Sequence, residues 1–148
     1  WLRMRFRYKL QKIVDLKSNQ KAQAEWMLSM AMAKLKLEEQ SLEELERTRQ
    51  SLADSMQEAA LATVSAAELS MLQTYLQHID ILIQRKVQQL NLARLEVAER
   101  SDQLVARMKD EKIWHKARER SLSAFRADYN RREQAVMDEM ASVRHGKT

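Results

Sequence analysis

The sequence predicts an all-α protein: a long antiparallel two-helix coiled-coil hairpin with an overhanging C-terminal helix end, residues 1–148 forming one domain. Three observations carry this expectation. The 148 residues include one glycine and no proline; apolar residues recur at heptad spacing in two long series; and a helix-capping signature stands between them.

Sheets and tight turns draw on Gly, Pro, Asn and Asp for unusual or fixed backbone angles. Here the sole glycine, Gly146, lies near the end of the sequence, so a Gly-rich phosphate-binding loop cannot be built. With no cysteine there is no disulfide framework, thiolate metal site or thiol nucleophile. A hydrophobic content of 45% with 5% aromatic and 32% charged residues suits long helices that bury a narrow aliphatic seam rather than a thick core.

In the first helix the seam reads Leu28, Ala31, Leu35, Leu42, Leu45, Leu52, Met56 and Ala59, alternating steps of three and four. Glu38 and Arg49 occupy seam positions as charged interruptions. Backwards, the series passes Ala24, Lys21 and Lys17 to Val14 and Leu10, with Phe6, Ile13 and Leu16 flanking it. One helix over about residues 5–60 accounts for all of these positions. The second series runs through Leu69, Leu72, Leu76, Ile79, Ile83, Leu90, Ala93, Val97 and Leu104, with Lys86 and Arg100 as interruptions. From Met108 the step slips by one residue, a stutter, and the seam thins over Arg107 to Arg120. It recovers at Leu122, Phe125, Tyr129, Val136, Met140 and Val143, giving a second helix over about 66–143 with Gly146 beyond its end.

Between the series, Ser65-Ala66-Ala67-Glu68 spells a capping box, in which the Ser and Glu side chains each satisfy an orphan helix N–H. Ser41 to Glu44 spells the same motif inside an unbroken heptad series and is read as coincidence. The turn therefore falls at about 61–65, too short a connection for parallel helices, and position i faces roughly 130 − i in the resulting hairpin. At the α-helical rise the first helix is about 85 Å long. The expected product is a thin rod whose last twenty or so residues continue as a single helix.

Catalytic constellations are missing at this level. His78, His115 and His145 do not share the i, i+4 spacing that places two ligands on one helix face. Glu38-Glu39 and Glu43-Glu44-Glu46 read as a solvated charged face, since acid–base work needs burial to shift carboxyl pKa values. A two-stranded seam has little room for indole, so at least one of Trp26 and Trp114 is expected to be partly exposed, as a partner surface or as seam-edge packing.

A net charge of +5 favours acidic partners. Arg3, Arg5, Arg7, Lys9, Lys12, Lys17 and Lys21 face Arg107, Lys109, Lys112, Lys116, Arg118, Arg120 and Arg126 across the open end of the hairpin, where they repel one another unless an acidic partner relieves them. No apolar run reaches the roughly 18 residues of a membrane span, and the basic N-terminal stretch lacks the apolar segment of a secretory signal. A cytoplasmic location is the expectation. Met4 is a candidate natural start, with Trp1 to Arg3 upstream.

Several stretches taken in order resemble the flagellar FliJ family over essentially the whole chain. Phe6-Arg7-Tyr8-Lys9-Leu10-Gln11-Lys12-Ile13-Val14-Asp15-Leu16-Lys17 is similar to the family's opening, an aromatic followed by a Leu, Ile or Val repeat ending in D-L-K or E-L-K. Gln23 to Glu25 resembles its early helix. The Ser65 cap with Leu72-Gln73-Thr74-Tyr75-Leu76 resembles the start of its second helix, and Met137-Asp138-Glu139-Met140-Ala141 its closing D-E-x-A element.

The resemblance implies a soluble, non-catalytic stalk of the flagellar type III export ATPase, peripheral to the membrane at the flagellar base, with no cofactor or metal. It implies two partners. The open end would sit in the pore of the FliI ATPase ring, through Arg5, Arg7, Lys12, Arg118 and Arg126; the loop-side half would meet the export gate protein FlhA through Leu45, Leu52, Tyr75, Ile79 and Leu82. Export chaperones are further candidate partners. Where family members carry aromatics on the first helix, this chain has Thr48 and Leu52. Readings from other classes are a basic coiled-coil nucleic-acid-binding arm, in which bases stack on Trp114, Phe125 and Tyr129 among the arginines, and a general holdase chaperone.

Overall fold

A computed structural model describes residues 6–146. Those residues form two helices, α1 (Gln11–Leu61) and α2 (Ala66–Gly146), packed as an antiparallel helical hairpin. By its contacts the chain divides into two units. A terminal unit contains the residues up to Gln23 and those from Val105 onward, and a turn unit contains Ala24–Leu104.

The turn unit is built on the heptad seam. Ala24, Ala31, Ile79, Leu90 and Ala93 are its buried residues, and all five are seam positions. The charged interruptions are accommodated by pairing. Glu38 accepts a hydrogen bond from Lys86 Nζ at 3.0 Å, so two seam charges neutralise each other across the hairpin. Arg49 reaches Asp80 at 2.6 Å, and Lys34 reaches Glu96 at 3.6 Å. In the last two contacts residue i lies opposite roughly 130 − i, the register set by a four-residue connection.

The turn spans residues 62–65. Glu68 N–H donates to Ser65 Oγ at 3.2 Å and Leu69 N–H to Ser65 O at 3.2 Å, which makes Ser65 the N-cap of α2. The reciprocal half of the capping box, a bond from Ser65 N–H to the Glu68 carboxylate, is not formed among the described residues. Glu68 instead lies in the first turn of α2, where its charge complements the helix dipole. Ser41 and Glu44 sit within uninterrupted α1.

In the terminal unit Val14 is the buried seam residue, 2% exposed. Beyond it the chain departs from expectation: α1 begins at Gln11 rather than near Arg5, which itself lies outside the described residues together with Met4. Two causes are visible in the sequence. A start near residue 5 would set Arg7 and Lys9 in the first helical turn, where cations oppose the helix dipole. Phe6, Tyr8 and Leu10 also alternate with basic residues at a two-residue period, which suits extended chain better than helix. Phe6 packs on Phe125 with ring centroids 5.6 Å apart and on Tyr8 at 6.4 Å.

At the other end α2 runs past Val143 through Gly146, the last described residue, so the glycine is helical rather than a cap beyond the helix. It does not adopt positive φ, and a Cβ there would meet nothing within 4 Å. Arg144 and His145 in the last turn favour this extension by facing the negative end of the helix dipole. Every residue from Asn130 to Gly146 is exposed, the overhanging end anticipated from the seam arithmetic.

Replacing Ser65 by Ala should cost about 1 kcal/mol through the lost N-cap. Urea unfolding followed by circular dichroism measures this, and an unchanged midpoint would show that the cap does not hold the start of α2.

Candidate functional surfaces

The described residues form two packed helices, and the grooves among them open onto the helix surfaces. Among the described residues no group of three His, Asp or Glu side chains is placed to hold a metal ion, and no helix is long and apolar enough to cross a membrane.

In the turn unit, Leu45 of α1 and Leu82 of α2 are brought into one open groove. Ser41, Glu44, Thr48, Arg85, Lys86 and Gln89 line it with them. Thr48 turns its hydroxyl onto the Glu44 carbonyl at 3.0 Å, which satisfies that hydroxyl within the helix and leaves the methyl side of the residue for the groove. Tyr75 is half exposed and belongs to a separate shallow depression with Met71, Thr74 and His78. Leu52 is half-buried. Ile79, placed with these residues by the resemblance, is 4% exposed: its side chain is spent in the seam and offers a partner no surface. The structure thus joins Leu45 to Leu82, keeps Tyr75 exposed in a separate depression, and buries Ile79 in the seam.

The terminal unit is less of a bare cationic surface than the sequence suggested. Lys17 reaches Asp110 at 2.8 Å and Lys21 reaches Glu111 at 3.3 Å. Ser18 Oγ and His115 Nε2 share a hydrogen bond of 3.3 Å, and Arg107 donates to Gln20 Oε1 at 3.2 Å. These pairs replace the apolar seam where it thins. Burial acts to raise the Glu111 carboxyl, but hydrogen bonds from Ser18 and Lys21, with the charges of Lys21 and His115, hold it below its ordinary value. Near the chain end, the Tyr129 phenol is pushed up by its hydrogen bond to Glu133, by desolvation and by the Glu133 charge.

Of the five cations implied for a ring partner, Arg5 lies outside the described residues. Arg118 is already engaged: its Nε donates to Gln11 Oε1 at 2.7 Å, and its guanidinium lies 5.5 Å from the Phe6 ring centroid. It holds the chain preceding α1 against α2. Arg7, Lys12 and Arg126 are exposed and make no ion pair among the described residues. Sequence reasoning missed Asp110 and Glu111 as partners of the seam lysines. The register pointed only to the neighbourhood: it sets Lys17 and Lys21 opposite about 113 and 109, and the two acids lie within a turn of those positions.

A third groove lies on the turn unit at Trp26, Met27 and Met30, with Arg100 of α2 at its wall. Trp26 is 63% exposed and Trp114 half-buried, so the exposed indole anticipated from the sequence is Trp26.

A family model described as FliJ, flagellar FliJ protein, matches residues 6–148. Among solved structures, one described as a putative YscO homolog, CT670 from Chlamydia trachomatis, is similar to this chain with a TM-score of 0.62. The two share 19% identity, and the match covers 95% of this chain and 96% of the other. At that identity the likeness establishes the fold alone. No curated protein sequence matches the chain.

The depressed Glu111 pKa contributes stability that is fully present above the ordinary glutamate range and is lost as pH falls through the lowered value. Glu111→Gln should therefore reduce stability at neutral pH and flatten the acid side of the stability profile. Urea midpoints from about pH 7 down to about pH 3 test this, and parallel profiles for the two proteins would remove Glu111 from the account.

Proposed function

The chain belongs to the flagellar FliJ protein family, and from that premise we propose that it is the soluble stalk of a type III protein export apparatus, acting in the cytoplasm at the membrane-bound export machinery. In this reading the terminal unit engages the export ATPase ring, FliI, and the turn unit engages the export gate protein, FlhA. The stalk promotes ring assembly and substrate export and supplies no catalytic group.

The observation that carries the reading is the family match over residues 6–148. Two features of the surfaces support its finer parts. Arg7, Lys12 and Arg126 present positive charge without an ion pair on the terminal unit, which suits an acidic ring lumen built from several subunits. The Leu45–Leu82 groove and the exposed Tyr75 present apolar surface on the turn unit, which suits a protein contact. Stimulation of ATP hydrolysis would follow from mass action, because a ligand that binds only the assembled ring stabilises it.

Retention of both the export ATPase and the gate protein on the immobilised chain, from a lysate of a flagellated bacterium, is the direct test; absence of both would overturn the proposal. Salt provides a second check. Stimulation of the ATPase should fall as ionic strength rises towards a few hundred millimolar, where the Debye length shrinks to about 5 Å.

The arginines should then separate. Arg126→Glu should lower stimulation with a stability change within about 0.5 kcal/mol, as for a surface substitution. Arg118→Glu should also lower the thermal midpoint, because it breaks the contacts to Gln11 and Phe6. Glu43→Lys, on an exposed position of the turn unit, should alter neither quantity. Equal loss of stimulation in the Glu43 and Arg126 variants would refute a role for the terminal cations.

On the gate side, Tyr75→Ala and Leu82→Ala should weaken binding to the gate protein with little change in helicity. Ile79→Ala should instead cost about 2–5 kcal/mol of stability, as for a large-to-small change in a packed seam. Undiminished gate binding in both surface variants would dismiss that groove.

A further inference from the structure

The groove at Trp26 carries chemistry that neither proposed contact uses. Its apolar lining is Trp26, Met27, Met30 and Ala31, and the charged residues Lys34, Glu96 and Arg100 complete it. Trp26 and Met30 are 63% and 55% exposed, and methionine gives such a surface a deformable, polarisable lining. The stripe is longer than the groove: Trp26, Met30, Ala33 and Leu37 follow one another at steps of four, three and four on α1, and Leu37 is 66% exposed. This is heptad spacing on the face of α1 turned away from the seam, the pattern by which one helix receives another.

Arg100 tells what the incoming helix must bring. Its Nη1 donates to Gln103 Oε1 at 3.1 Å and approaches Met27 Sδ at 3.8 Å. Both acceptors are neutral, and Arg100 has no ion pair among the described residues. Glu96, one turn before it, is taken by Lys34. A part-buried guanidinium thus shares a groove with Trp26, Met27 and Met30, and the one carboxylate in the lining, Glu96, is paired with Lys34 rather than with Arg100. Such a cation is satisfied by a planar bidentate anion.

We propose that this groove docks an amphipathic helix of a partner protein, one that sets a carboxylate between bulky apolar residues so that the carboxylate meets Arg100 while the apolar residues cover Trp26 and Met30. A nucleic-acid strand fits less well: Glu38, Glu39 and Glu96 offset Lys34 and Lys36 along this stretch of the hairpin, and Trp26, Met30 and Leu37 offer phosphates nothing.

The test uses the intact chain and a synthetic, fluorescein-labelled helical peptide of about three heptads, with leucines on one face flanked by glutamates, beside a twin in which glutamine replaces each glutamate. Binding is read by anisotropy. The acidic peptide should bind about tenfold or more tightly than its twin, as expected for a hydrogen bond to a charged group. Arg100→Gln should abolish that preference while leaving affinity for the glutamine twin unchanged. Trp26→Ala should weaken both peptides, and circular dichroism should show both variants as helical as the parent.

Equal binding of the two peptides by the parent chain, or a preference that survives Arg100→Gln, would overturn the proposal. Two other results would also overturn it. One is tighter, Arg100-dependent binding of an oligothymidine strand; the other is sedimentation showing that the chain alone forms a dimer that Trp26→Ala dissolves, which would assign the groove to a second copy. ATPase stimulation should be unaffected by either substitution, so the result stands apart from the stalk reading.

Discussion

A narrow line of apolar burial between the two helices holds each unit of this hairpin together, and the other features are arranged around it. Two helices with no third layer bury only the stripe between them, and the buried residues of the described chain are Val14, Ala24, Ala31, Ile79, Leu90 and Ala93. Half of these are alanines, which let the helix axes approach but remove little apolar area from water. Much of the burial therefore falls to half-covered neighbours such as Leu28, Leu35, Leu45 and Leu82. Of these, Leu45 and Leu82 also wall a surface groove. Where only two helices pack, stability and recognition draw on the same side chains.

The charged seam positions make sense in that setting. A seam glutamate or lysine weakens the apolar line, yet Glu38 meets Lys86, and Lys17 and Lys21 meet Asp110 and Glu111. Such half-buried pairs add little net stability, because desolvation offsets the Coulombic gain. Their consequence is register. Heptad seams can slide by seven residues with little change in apolar contact. A slip of one heptad would put Ile79 or Ala93 where Lys86 now meets Glu38, leaving the charges of Glu38 and Lys86 unpaired against apolar neighbours. Polar seam residues are best attested in this role.

What the sequence made legible follows from the same geometry. A period of three and four is a strong signal over helices this long, and it located the helices, the register and all of the buried residues. The start of α1 was not legible from the heptads, since Phe6 and Leu10 fit both a helix face and an extended alternation. The dipole argument against Arg7 and Lys9 in a first helical turn decides between them. Surface assignments were legible only in part. Leu45 and Leu82 could be paired from register, but the engagement of Arg118 by Phe6 and Gln11 depends on where the chain before α1 lies, and no periodicity encodes that. Ile79 shows the opposite limit: a resemblance transfers a position to a contact, while burial decides whether that position can make one.

The exposed end of α2 needs a different account, because its seam residues Val136, Met140 and Val143 are more than half exposed. An isolated helix of this length is marginal in water, since nucleation is costly. Here the packed part of α2 has already supplied the nucleus, and each further residue needs only to propagate it. Side-chain pairs along the helix assist: Arg132 reaches Asp128 at 3.2 Å and Gln134 donates to Asp138 at 3.1 Å, each worth about 0.2–0.5 kcal/mol. Arg144 and His145 then close the helix against its dipole. The helical form of this segment is accounted for by propagation and local pairs, without any partner. Its apolar residues contribute nothing to folding in the free chain, so substituting them should leave the stability of the hairpin unchanged, in contrast to the same substitutions at Val14 or Leu90.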